Sequence, residues 1–164
     1  MRFVGIDPGL LGSIALISDG VLCRIHNMPT SKTGVGSRRE VNRKLLKRLL
    51  LELGPDFVAL EEQRPFPQFV KDGRTVKLGV GTAFKMGDGY GAVKGVLDCL
   101  DLSWAEIPPK TWQKEYGITT GGIKAKAALV AARFWPDWTF ERQDHVDAAL
   151  IAEYGRRHVG VESA

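Results

Sequence analysis

The chain has 164 residues, 44% of them hydrophobic and 26% charged, a formal net charge of +4 and a pI near 9.2. This is the size and composition of one soluble globular domain spanning residues 1–164, which excludes a fibrous repeat, an extended disordered segment and a disulfide scaffold. Cys23 and Cys99 lack metal-ligand spacing, so buried thiols in a reducing compartment are expected; with no bilayer-length apolar run and no signal peptide, the reading is cytoplasmic, without membrane contact.

Phe3, Val4 and Ile6 form a short β-prone run that stops on Asp7, with Pro8-Gly9 after it. A carboxylate at the end of a buried strand needs a partner. A metal cation is one choice, and hydrogen bonds within the following turn are another. Residues 12–18 and 21–28 are two further β-rich runs joined by Asp19-Gly20, a two-residue hairpin signal, so the chain is expected to begin with a three-stranded meander.

After a loop over 28–37, Val41, Leu45, Leu46, Leu49 and Leu53 recur at helical spacing from Arg38 to the stop at Gly54-Pro55, and the opposite face is basic. Phe57-Val-Ala-Leu60 is a fourth strand that also runs into acid, Glu61-Glu62. Neighbours on a strand point to opposite faces, so only one of these can join Asp7; Ala59-Leu60 before them favours Glu61. Residues 64–81 show no periodicity and are longer than a simple connection. Residues 83–100 read as a helix despite Gly87, Gly89, Gly91 and Gly95, which implies close backbone approach to something.

Residues 102–107 are a fifth strand. A short helical piece over 111–116, a helix over 123–134 carrying Lys124 in its first turn, and a final helix over 144–157 complete the plan. The order predicts an α/β fold: a five-stranded mixed sheet, the antiparallel meander plus two parallel strands, flanked by helices.

In Gln143-Asp144-His145-Val146-Asp147, the two aspartates are three apart and share a helix face. Asp144 also suits the helix N-terminus as a cap or dipole partner, whereas Asp147 lies one turn inside an apolar helix, where a cation explains it better. Asp7, Glu61, Asp144 and Asp147 together make a hard-oxygen ligand set suited to Mg²⁺, with Mn²⁺ as a substitute. Two such ions about 4 Å apart activate water and steady the leaving oxygen in phosphodiester cleavage. Basic residues fall in clusters: Lys32 to Arg48 including Arg38, Arg39 and Arg43; Lys71, Arg74, Lys77 and Lys85; and Lys110 to Lys126. Nucleic acid is therefore the leading partner class.

Three motifs, Val4-Gly-Ile-Asp7-Pro-Gly9, Val58-Ala-Leu-Glu61-Glu-Gln63 and Asp144-His-Val-Asp147-Ala-Ala-Leu-Ile-Ala152, resemble in order and spacing the RuvC-like Holliday junction resolvases of the RNase H-like superfamily. The stretches 62–67, 87–95 and 107–114 look closer to the plastid (monokaryotic chloroplast) and phage branches, and a start without a targeting leader fits a phage or bacterial source. The resemblance implies a homodimeric, structure-selective endonuclease that nicks opposing strands of a four-way DNA junction symmetrically. It makes Asp7, Glu61, Asp144 and Asp147 the metal ligands and Lys124 the catalytic lysine that neutralises charge on the phosphate. Glu62 and His145 remain possible site residues. Arg38, Arg39, Arg43, Lys71, Arg74, Lys77 and Lys85 are expected to contact phosphates, with Phe66, Phe69 or Tyr90 stacking at the crossover or packing in the core. An RNase H-like nuclease acting on RNA/DNA hybrids is the alternative. Reading Asp7-Pro-Gly with Gly12 as an ATPase phosphate loop is disfavoured by the short chain and the lack of an adenosine motif, so no nucleotide cofactor is expected.

Overall fold

A computed structural model describes residues 1–34, 39–64, 68–71, 74–119 and 121–159, with the side chains of 68–71, 74–76 and 159 left undescribed. The chain begins with β1 (Arg2–Ile6), β2 (Ser13–Ser18) and β3 (Val21–Asn27). The turn between the last two has Asp19 and Gly20 both at positive φ, 50° and 83°, as the Asp-Gly pair implies. A small hairpin follows, β4 (Thr30–Lys32) with β5 (Arg39–Val41), where a loop was expected. Consequently α1 (Arg43–Leu53) starts later than Arg38. Its cap is Asn42, whose side chain accepts a hydrogen bond from the Leu45 N–H, 3.0 Å.

Then come β6 (Phe57–Glu61), a second hairpin β7 (Gln68–Lys71) and β8 (Arg74–Lys77) in the segment without periodicity, and α2 (Val80–Cys99). The chain ends with β9 (Trp104–Ile107), α3 (Pro109–Glu115), α4 (Ile123–Phe134) and α5 (Gln143–Val159).

The main sheet has the order β3-β2-β1-β6-β9. β1 is antiparallel to β2 and parallel to β6, and β6 is parallel to β9, so the predicted meander and parallel pair are both present. Alternation along the strands divides the core in two. Val4, Ile6, Val58 and Leu60 face Leu46 and Leu50 of α1 and Val93 and Leu97 of α2. Ala15, Ile17 and Ala59 face Ala148, Leu150, Ile151 and Ala152 of α5, and Trp112 of α3 packs in that same layer.

α5 lies directly on β1. A Cβ at Gly5 would stand 2.2 Å from the Ala148 carbonyl oxygen and 2.3 Å from the Ala152 amide nitrogen, so no other residue fits there unless the helix moves. The α2 glycines behave otherwise: an added Cβ at Gly89 would make an ordinary contact with Val41 Cγ2 at 3.7 Å, and at Gly87, Gly91 and Gly95 it meets nothing within 4 Å, so the close approach inferred for these glycines is not made by the described part of this chain. Cys23 and Cys99 are exposed, contrary to the expectation of buried thiols, since they sit on the outer surfaces of β3 and α2.

Candidate active site

Strand register builds the first half of the site. Ile6 of β1 pairs with Leu60 of β6 in a parallel ladder, so the next residue on each strand, Asp7 and Glu61, leaves the same edge of the sheet side by side. Parity then selects the face. Asp7 is two residues beyond Gly5 and Glu61 two beyond Ala59, and both Gly5 and Ala59 lie against α5, so both acids turn toward that helix. Glu62 falls on the opposite face. It accepts from Arg64 Nε at 2.6 Å, and its charge bears on Tyr90 of α2. Of the two adjacent glutamates, Glu61 is the one on the face of Asp7 and α5.

α5 supplies the second half. With Ala148 and Ala152 seated over Gly5, the preceding turn carries Asp144 and Asp147 to the sheet edge where Asp7 emerges. Burial pushes the Asp7 carboxyl up to about 6, the charges of Asp144 and Asp147 add to the rise, and a hydrogen bond from the Gly9 N–H opposes it. Glu61 is pushed up to about 7, first by burial and then by the charge of Asp7, with Asp147 contributing and a hydrogen bond from Trp112 opposing. Asp147 rises to about 6 through burial and the charge of Asp144, while a hydrogen bond from Gln143 and the charge of Lys124 hold it back. On top of burial, the α5 acids thus raise Asp7, and Asp7 and Asp147 raise Glu61, so negative charge from three distant segments bears on one place.

Each acid already has one protein donor. Trp112 Nε1 donates to Glu61 Oε1 at 2.9 Å, Gln143 Nε2 to Asp147 Oδ1 at 2.8 Å, and Arg142 to Asp144 Oδ2 at 2.5 Å. The same Arg142 guanidinium donates to the Leu11 carbonyl oxygen and to Asn27 Oδ1, tying the turn after β1 to the start of α5. In these side-chain positions, and among the described residues, no three acidic, histidine or cysteine side chains are gathered closely enough to hold a metal ion. The donor chemistry nonetheless fits a hard divalent cation: four carboxylates, three of them half-buried and raised by neighbouring negative charge that an ion would relieve.

His145 is buried and its Nε2 lies 2.9 Å from Asn27 Oδ1, which turns it toward β3. Lys124 is exposed in the first turn of α4, within electrostatic reach of Asp147. Of the expected phosphate contacts, Arg39 donates to Thr30 Oγ1, Arg43 pairs with Asp88 at 3.6 Å, and Lys77 and Lys85 are exposed; Arg38 and the side chains of Lys71 and Arg74 lie outside the described residues, as do those of Phe66 and Phe69. Tyr90 packs against the α1/α2 core rather than standing free.

A cavity of about 460 Å³ beside the Asp7 turn is lined by Pro8, Leu10, Leu11, Gln63, Lys85 and Met86, and Phe84, 75% exposed, lines its neighbour with Arg39. A larger one of about 600 Å³ lies between α1 and α2 among Arg43, Lys44, Lys47 and the α2 glycines, and none of the clustered acids lines it. The sequence reading missed Trp112, Arg142 and Gln143. Only the Gln143–Asp147 pair carried a local signal, its four-residue spacing on a helix.

No known protein-family model and no curated protein sequence matches the chain. Solved structures do. Thermus thermophilus RuvC in complex with a Holliday junction substrate is 20% identical, with 100% of this chain and 98% of that one covered and a TM-score of 0.66. A second Thermus thermophilus RuvC structure is 18% identical, with 96% of each chain covered and a TM-score of 0.57. The chain has the RuvC, RNase H-like fold over its whole length.

Proposed function

We propose that the chain is a metal-dependent endonuclease that resolves four-way DNA junctions by nicking two opposing strands. The observation that carries this reading is the electrostatic coupling of Asp7, Glu61 and Asp147, from β1, β6 and α5, at one edge of a RuvC-like sheet. Asp7, Glu61, Asp144 and Asp147 would hold two Mg²⁺ or Mn²⁺ ions, which when bound supply Lewis-acid activation of water and neutralise the phosphodiester. In hydrolysis the water oxygen forms a bond to phosphorus, the bond to one sugar oxygen breaks, and that oxygen leaves as a hydroxyl. Lys124, beside Asp147, places a cation where charge grows on the phosphate.

The exposed Lys77 and Lys85 suit phosphates, as does Arg39 once it gives up its hydrogen bonds to Thr30 Oγ1, and the apolar side chains of Leu10, Leu11 and Phe84 beside the Asp7 turn suit unstacked bases. A homodimer of a single nuclease domain would present two such sites about a two-fold axis, matching a symmetric junction. The motifs at 62–67, 87–95 and 107–114 support kinship with phage and plastid resolvases.

The test compares a mobile four-way junction, a linear duplex and an RNA/DNA hybrid in Mg²⁺. Paired symmetric nicks in the junction, lost at least a thousandfold in Asp7→Asn and Glu61→Gln with junction binding retained, are expected. Preference for the hybrid overturns junction resolution. Lys124→Ala should slow the single-turnover step far more than it weakens binding.

A further inference from the structure

Glu61 differs from the other acids in the character of its donor. Asp144 is held by a guanidinium, and Asp147 by an amide that can also accept and rotate. Glu61 is held by an indole that can only donate, carries no charge and is 1% exposed. The indole itself is fixed. It packs in the layer formed by Ile107, Ile118, Ala127 and Ala149, and α3 is tied to α5 by Tyr116 Oη donating to the Leu150 carbonyl oxygen at 3.3 Å.

Resting on the reading of Glu61 as a site acid, we propose that Trp112 is a positioning residue: its Nε1–H engages Glu61 Oε1 and thereby orients the carboxylate toward Asp7 and Asp147. The physical case is one of rotamers and competition. A glutamate has three side-chain torsions, and at a strand end beside two other acids repulsion drives it to swing away. One hydrogen bond from a rigid buried donor removes that freedom. Because the donor is neutral, it satisfies one oxygen without supplying the positive charge that would displace a cation; because it accepts nothing, it does not itself compete for the ion. Outer hydrogen bonds of this kind to metal ligands change metal affinity or activity by about 10–100-fold.

The experiment uses the full chain. In Trp112→Phe, which keeps most of the ring and loses the N–H, the affinity for Mg²⁺ alone, measured calorimetrically on DNA-free protein, is expected to fall about tenfold or more. The single-turnover cleavage rate should fall with it, and junction binding in EDTA should stay within about twofold, since phosphate contacts carry it. Unchanged Mg²⁺ affinity and rate overturn the proposal.

Should the variant not fold, the indole ¹⁵N–¹H resonance of Trp112 in the wild-type chain, assigned by substituting the other three tryptophans in turn, provides the second measurement. It is expected to move on Mg²⁺ addition and in Glu61→Gln; a resonance indifferent to both overturns the proposal. The two readings fail separately. A wild-type chain that leaves four-way junctions uncut overturns the proposed function, whereas a wild type that cuts beside a Trp112→Phe variant that binds Mg²⁺ and cuts equally well overturns only the role of the indole.

Discussion

The two faces of the sheet are covered in different ways, and glycine marks both. On one face α5 rests its backbone on β1, with Ala148 and Ala152 filling the place where Gly5 has no side chain. On the other, branched side chains of α1 and α2 interdigitate with Val4, Ile6, Val58 and Leu60, while Gly87, Gly91 and Gly95 of α2 look outward onto empty space. The first arrangement sacrifices side-chain volume to bring a helix close; the second leaves a smooth exposed helix surface at some cost in propensity. Proximity is needed where the acids are: a helix held further off by larger side chains would carry Asp144 and Asp147 away from Asp7.

The sharpest way to break this comparison is Gly5→Ala. A methyl group about 2 Å from helix backbone has no flexible neighbour to displace, so the variant should lose at least about 3 kcal/mol of stability in a denaturant titration. Nicking should disappear in any fraction that remains folded. A stable, active variant would show that α5 can ride higher without harm to the site.

The next effect concerns charge. Asp7, Glu61 and Asp147 have folded pKa values of about 6, 7 and 6, above their ordinary 3.8, 4.5 and 3.8. The folded chain therefore binds more protons than the unfolded one between about pH 4 and 7, and stability without metal falls as pH rises across that window. Asp7→Asn removes one of the three and should raise the metal-free melting temperature at pH 8 by roughly 3–6 °C, on the order of 1–2 kcal/mol, with about half that effect at pH 5 and little below about pH 4. Mg²⁺ should stabilise the wild type more at pH 8 than at pH 5.5, in calorimetric scans with and without EDTA. Equal stabilisation at both values contradicts the role of these carboxylates.

The smallest expected effect is on the other face. Gly91→Ala and Gly95→Ala add a methyl group to open space in a helix interior, so each should stabilise the isolated chain by about 0.5–1 kcal/mol. Loss of junction cutting in these more stable variants would show that the smooth surface of α2 meets another molecule; unaffected cutting would make its glycines neutral for function.

The main sheet was legible because its strands announce themselves locally: three β-branched runs ending in Asp, Glu or an Asp-Gly turn, and an alternation that separates Glu61 from Glu62. The five strands and the helix carrying Asp144 and Asp147 follow from such patterns. The two small hairpins were not legible, since strands of three or four residues such as Thr30–Lys32 hold too few alternations to stand out from a loop. Asn42 did offer a readable helix start, yet the basic run from Arg38 drew the boundary earlier. Within the site, residue types were legible and their partners were not. Trp112 meets Glu61 across 51 residues of sequence and Arg142 reaches Leu11 across 131, contacts that only the folded sheet creates.

The seating of α5 on β1 also sets an order in time. Asp7 is synthesised well before α5, the helix that completes its surroundings, so contacts of such long sequence separation form late. A nascent or prematurely terminated polypeptide holds the sheet-edge acids without their helical counterparts. Under the function proposed above, the cutting chemistry waits until α5 has been made and has docked on β1.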